Sequence, residues 1–215
     1  ALSSQSDWNS LCEFIDIGGP CLLRAAAKSF ARITVVCDPQ DYRWVNQQDD
    51  SLQLRKTLAA KVFRHVSCYD SMIAESLQPS SVENEISLGG QKVQDLRYGE
   101  NPQQMAAWYR HPWLNSGLHQ ARVIQGKALS FNNLLDLDSA LSTLSLFTEK
   151  AVCVAIKHNS PCGVAEAQTL DEAVRKSLKA DPLSVFGGIV CVNQEITGSA
   201  GHHLNEIFLE CILAP

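Results

Sequence analysis

A lysine and a histidine stand side by side at positions 157 and 158, where the apolar run of AVCVAIKHNSPCG (151–163) gives out. A neutral imidazole can take a proton from a weakly acidic nucleophile near neutral pH. A neighbouring ammonium can neutralise the oxyanion that forms when a carbonyl is attacked. Together they would supply the general base and the electrostatic stabiliser of an acyl transfer. Spacing alone leaves a second reading open, in which His158 bonds a loop carbonyl and Lys157 is merely solvated.

Three further stretches hold residue types suited to ligand binding. In LRYGENPQQ (96–104), Arg97 could present its planar fork to a phosphate or carboxylate, and Tyr98 could stack on or bond a heterocycle. In DPLSVFGG (181–188), Gly187 and Gly188 could bring backbone amides close to a ligand or simply turn the chain into a strand. DIGG (16–19) has the look of an anion-binding turn before a helix, and Asp16 could meet Lys28 only if the fold brings the two together. SPCG (160–163) has the Pro-Cys start of a zinc deaminase motif. The second cysteine of P-C-x-x-C is missing, however, and no H-x-E occurs, so no metal is expected.

These residues need elements to hold them. PCLLRAAAKSF (20–30) is expected to be a helix with Pro20 in its first position, which puts Arg24 and Lys28 on one face. The apolar, β-branched ARITVVCD (31–38) reads as a buried strand, followed by Asp38 as N-cap and Pro39 in the first turn. Leu54, Leu58, Val62, Val66, Tyr69 and Ile73 recur at helical spacing, which predicts a long amphipathic helix over 52–77. QPSSVENE (78–85) is polar and rich in turn formers, as a domain boundary should be. Beyond it the pattern predicts an apolar stretch at 105–109, a helix at 133–148 and a strand at 151–156. A helix at 169–180 opened by Thr169 and Glu172, a strand near 188–192 and an apolar segment at 207–213 follow. Alternating strands and helices imply an α/β fold with a mainly parallel sheet, whose ligands gather beyond the carboxyl ends of the strands. Lys157 and His158 fall at such an end.

With 45% hydrophobic and 19% charged residues, the 215-residue chain can bury one large core or two modest ones. A net charge of −5 argues against general affinity for nucleic acid, so any anionic ligand must meet a local basic site. No apolar run of about eighteen residues exists and the start lacks a signal-peptide layout, so a cytoplasmic protein without a membrane partner is expected. The eight cysteines form no C-x-x-C pair and are expected to be mostly buried free thiols.

Six stretches in order resemble one family, the bifunctional purine-biosynthesis enzyme that joins an aminoimidazole carboxamide ribonucleotide (AICAR) formyltransferase to an IMP cyclohydrolase. They are FIDIGGPCLLRAAAKSFARITVVCDPQDY, RKTLAAKVFRHVSCYDSMIA, LRYGENPQQMAAWY, QGKALSFNNLLDLDSAL, AIKHNSPCGVA and DPLSVFGGIVCVNQEI. The resemblance implies an internal piece of that enzyme. Residues 1–78 would be the C-terminal part of a methylglyoxal synthase-like cyclohydrolase domain and 79–88 a linker. Residues 89–215 would be the N-terminal half of a cytidine deaminase-like formyltransferase domain without zinc.

By the same resemblance, His158 matches the general base that helps deprotonate the 5-amino group of AICAR as it attacks 10-formyltetrahydrofolate. Lys157 matches the stabiliser of the tetrahedral transition state. Arg97, Tyr98 and Gly187 match nucleotide-binding positions; Asp16, Ile17 and Lys28 match cyclohydrolase residues that hold formyl-AICAR and aid its closure to IMP. The family's site lies between two subunits, which implies a homodimer. Where the family reads N-P-H-Q, this chain has Asn101-Pro102-Gln103-Gln104. Two other classes stay open on the residues themselves: a non-catalytic nucleotide-binding module and a zinc deaminase-like hydrolase.

Overall fold

A computed structural model describes residues 12–46, 51–77, 84–112 and 114–215. The chain divides into two compact units, Ala1–Gln91 with Arg110–Asn115, and Lys92–Tyr109 with Ser116–Pro215. The expected 79–88 linker falls partly outside the described residues.

In the first unit, helix α1 (Gly18–Lys28) and the short α2 (Tyr42–Asn46) precede the long helix α3 (Leu52–Leu77). The helical periodicity expected over 52–77 is realised: Leu58, Val62 and Val66 are buried, and Val62 and Val66 form with Ala59, Ala27 and Val35 the core on which α1 packs. Helix α1 begins two residues before Pro20. A proline there loses nothing, because the N–H groups of a first turn have no intrahelical acceptor.

Asp38 caps a 3₁₀ turn at Pro39–Asp41, as expected, by accepting from the Gln40 N–H at 2.9 Å. Lys61 of α3 bonds both Asp38 and Asp41 at 2.6 Å and fixes this turn to the helix. Its bond, followed by that from Gln40, holds the Asp38 carboxyl below the usual range.

The strand expected at 31–38 is not formed. Val35 is buried and Cys37 packs on the same core, but among the described residues no neighbouring strand pairs with the run. Its apolar character serves packing against helices, and β-propensity cannot make a ladder without a partner.

The second unit opens with a two-stranded sheet, β1 (Gln91–Leu96) and β2 (Ala106–Arg110). Helix α4 (Phe131–Leu144) starts two residues earlier than expected, because Ser130 and Asn133 close a full capping box. Then come β3 (Ala151–Lys157), β4 (Ser160–Ala167), helix α5 (Leu170–Ala180), β5 (Ile189–Val192), helix α6 (Gly198–Asn205) and β6 (Cys211–Leu213). The sheet order is β4-β3-β5-β6.

This sheet is mixed rather than mainly parallel: β3 runs antiparallel to both β4 and β5, and only β5 and β6 are parallel. Between the strand expected at 151–156 and the helix expected at 169–180, β3 turns straight back into β4, a strand the pattern does not predict. Pro161 is tolerated because β4 is an edge strand and the register slips beside it, leaving Cys162 as the extra residue of a bulge.

Strand β3 is apolar throughout because both its faces are covered. Ala151, Cys153 and Ala155 pack with α5 and α6, and Val152, Val154 and Ile156 pack under Ala140 and Leu144 of α4. Burial pushes the Cys153 thiol up to about 11 and the Cys191 thiol to about 12, so both stay protonated and act as small apolar groups. Among the described residues no helix is long and apolar enough to cross a membrane.

On the other flank, α5 lies so close to β4 that a Cβ at Gly163 would run into the Ser177 carbonyl, while the Ser177 hydroxyl donates to the Gly163 carbonyl at 3.0 Å. Gly163→Ala is expected to destabilise the protein by about 1–3 kcal/mol through overpacking. Chemical denaturation against Val164→Ala, an exposed neighbour on the same strand, checks it; equal midpoints would show that α5 can move aside.

Candidate functional site

Residues 157–160 form a two-residue β-hairpin turn. Lys157 pairs with Ser160, and the central His158 and Asn159 have φ of 52° and 63°, both left-handed, as a type I′ turn requires. A strand ladder closed over two residues leaves the tip almost no freedom. His158 is thereby held out from the sheet end, exposed, and among the described residues its ring meets no hydrogen-bonding partner.

The tip is also gripped from the side. The Asn159 N–H donates to Asp136 Oδ1 at 2.6 Å, and the Ser139 hydroxyl donates to the Asn159 carbonyl at 3.1 Å. Both partners come from α4.

Lys157 is restrained differently. Its ammonium donates to the carbonyls of Phe186 at 3.0 Å and Gly187 at 2.7 Å, in the turn that leads into β5. Three N–H bonds are available to a lysine, so one remains for a ligand. Gly187 suits this place on two counts. Its φ is +67°, and a Cβ there would sit 3.0 Å from the Lys157 ammonium. Phe186 and Phe208 flank it as an exposed aromatic pair with ring centres 5.7 Å apart.

The loop carrying Arg97 and Tyr98 is tied to the start of α4, since the Arg97 N–H donates to the Leu129 carbonyl at 2.8 Å and the Phe131 N–H to the Tyr98 carbonyl at 3.1 Å. The guanidinium lies 4.9 Å from the centre of the Tyr98 ring, which occupies one aromatic face. Gln104 braces the loop by accepting from the Asn101 N–H at 2.9 Å, while Gln103 is exposed.

Hydrogen bonds tie these pieces to α4 and to the four-stranded sheet. Burial raises the Cys211 thiol pKa; among smaller influences on it are the charges of Arg97 and Asp136. Burial likewise raises Cys162, with Lys157 and Asp136 among the charges acting on it. Asn133 of α4 donates to Glu210 at 2.7 Å just before β6. Of the expected residues, the structure therefore brings Lys157, His158 and Gly187 together and ties Arg97 and Tyr98 to the start of α4, the helix that also grips the hairpin tip. Cys162 is protonated and part of a strand, and among the described residues no group of three or more His, Cys, Asp and Glu could hold a metal ion.

Asp136, Asn133 and Ser139 were not singled out by sequence. Their signal was present: Ser130, Asn133, Asp136 and Ser139 recur every three residues along the helix and its cap.

Asp16, Ile17 and Lys28 belong to the first unit. Asp16 Oδ1 accepts from the Gly19 N–H at 3.1 Å, and its own N–H donates to the Tyr69 hydroxyl at 2.8 Å. A shallow cavity of about 170 Å³ lies there, lined by Asp16, Gly19, His65 and Tyr69 among others. Ile17 is exposed at the helix start. Lys28 ends the same helix, about 15 Å along the axis from Gly18 at 1.5 Å per residue.

The family model of the AICARFT/IMPCHase bienzyme matches residues 26–215. Among curated proteins, the bifunctional purine biosynthesis protein PurH of Aquifex aeolicus is 44% identical over 213 residues, covering 95% of this chain and 42% of that protein. Its namesake in Halalkalibacterium halodurans is 46% identical over 212 residues, covering 94% and 41%. In Acetivibrio thermocellus the figures are 42% over 224 residues, 100% and 43%. The chain thus spans less than half the length of these relatives.

The contact between Gly187 and Lys157 yields a direct test. Gly187→Ala is expected to cost about 1–3 kcal/mol in stability, from left-handed strain, and to displace the lysine ammonium. A crystal structure of the variant showing both carbonyl bonds intact would refute the second part.

Proposed function

Because this chain belongs to the AICARFT/IMPCHase bienzyme family, we propose that its second unit carries part of an AICAR formyltransferase site and its first unit part of an IMP cyclohydrolase site. In this reading the second unit has the cytidine deaminase-like fold of the formyltransferase and the first the methylglyoxal synthase-like fold of the cyclohydrolase. The observation that carries the proposal is the hairpin tip, with an ammonium anchored by two carbonyls beside an exposed imidazole that meets no hydrogen-bonding partner among the described residues.

The 5-amino group of AICAR is a weak nucleophile, because its lone pair is delocalised into the ring and carboxamide. As that lone pair forms a C–N bond to the formyl carbon of 10-formyltetrahydrofolate, His158 accepts the amine proton. The carbonyl oxygen becomes anionic, and the remaining N–H of Lys157 faces it. Collapse breaks the bond to the folate nitrogen, which takes up a proton, leaving tetrahydrofolate and formyl-AICAR. Arg97 serves the nucleotide's phosphate, Tyr98 its heterocycle through the ring face that Arg97 leaves open, and Gly187 its polar edge through the second lone pair of its carbonyl, since its N–H already donates to the Phe208 carbonyl at 2.7 Å. No metal is needed for these steps.

Ring closure joins the carboxamide nitrogen to the formyl carbon with loss of water, giving IMP. We assign Asp16 and Ile17 to holding the nucleotide at the start of α1. Lys28, at the end of the same helix, aids the closure. A cytoplasmic homodimer completes the proposal.

Substitutions in the full-length protein carrying this segment separate the two activities. His158→Ala is expected to lower formyl transfer by about 10²–10⁴-fold while AICAR binding by calorimetry persists. A wild-type rate would remove His158 as the base. Lys28→Ala should slow closure of formyl-AICAR to IMP, followed by the absorbance of IMP, and leave formyl transfer unchanged. Unimpaired closure would exclude Lys28.

A further inference from the structure

A histidine with positive φ is an unfavoured arrangement, and a turn of two such residues ordinarily contains glycine. Asn159 tolerates the left-handed region better than most residues, but neither it nor His158 has glycine's full freedom, so the turn is held by its surroundings. The hairpin ladder supplies part of the restraint. The rest comes from α4, which takes both backbone polar groups of Asn159: its N–H by Asp136 at 2.6 Å and its carbonyl by Ser139 at 3.1 Å. With its amide and carbonyl both fixed, Asn159 can no longer rotate its peptide planes. The plane it shares with His158 is set by the Asp136 bond.

We propose that Asp136 is a positioning residue for formyl transfer, holding the imidazole of His158 in register with the substrate amine through the Asn159 amide. The inference rests on His158 acting as the base. Asp136 touches neither the base nor the lysine through any described bond, and its carboxylate does its work as a fixed acceptor. Asparagine can make the same bond through its side-chain carbonyl; alanine cannot.

Displacement of a reacting group by about 1 Å can cost 10²-fold in rate. In the full-length protein, Asp136→Ala is therefore expected to lower kcat by about 10–100-fold, with KM for AICAR within about twofold of wild type. Asp136→Asn should restore most of kcat. Hydrogen exchange at residues 157–161 should quicken in the alanine variant and return to the wild-type rate in the asparagine variant. Ser139→Ala, which loosens the same peptide from its other side, should quicken exchange there and lower kcat to a smaller degree, and it carries the test if Asp136→Ala does not fold.

Wild-type kcat in Asp136→Ala, or in Ser139→Ala should that variant stand in for it, while His158→Ala is inactive would overturn the positioning role and leave the base intact. Equal losses in Asp136→Ala and Asp136→Asn would overturn it too, by pointing to the negative charge. A fully active His158→Ala would overturn the base itself and this inference with it.

Discussion

The site is organised around a two-residue turn whose central residues both sit in the left-handed region. A non-glycine residue there costs roughly 1–2 kcal/mol, a cost that falls mainly on His158 because asparagine tolerates the left-handed region. The ladder between β3 and β4, the burial of β3 on both faces and the two bonds from α4 offset that cost. What results is an imidazole carried on one of the tightest connections a chain can make. A longer loop would leave it free to wander by more than a reaction tolerates.

The neighbouring lysine meets the opposite difficulty, since its four-carbon stem is flexible and its head prefers water. Two carbonyls at 2.7 and 3.0 Å substitute for that water and aim the head, and Gly187 leaves room for it. Arg97 adds a second cation to this part of the molecule, where the carboxylates of Asp136 and Glu210 are each held by a hydrogen bond.

Much of this was legible in the sequence because helical periodicity and capping are local. Helix 52–77, the Asp38 cap and the Thr169 cap were all readable from spacing. Sheet topology is not local. Lys157 and His158 were picked out by a rule for parallel sheets, in which ligands lie beyond carboxyl ends. They do follow the carboxyl end of β3, but β4, β5 and β6 all begin at that same edge, so the rule located the pair for a reason that does not apply. The strand read at 31–38 failed likewise, because Val35 and Cys37 are apolar for the sake of helices.

Helix α4 shows why the least conspicuous residues matter most for geometry. Ser130 and Asn133 fix where it starts, Asn133 reaches Glu210, Asp136 and Ser139 reach Asn159, and its first turn receives the Arg97–Tyr98 loop. Each such bond contributes only about 0.5–1.5 kcal/mol net, less than burying one Ile156. As a source of stability these bonds are minor. As a ruler they are not, because directional bonds at three-residue spacing set the distance between segments that apolar packing alone would let slide. The apolar face of α4 holds the sheet together, and its polar residues determine where the sheet's chemically useful end is held.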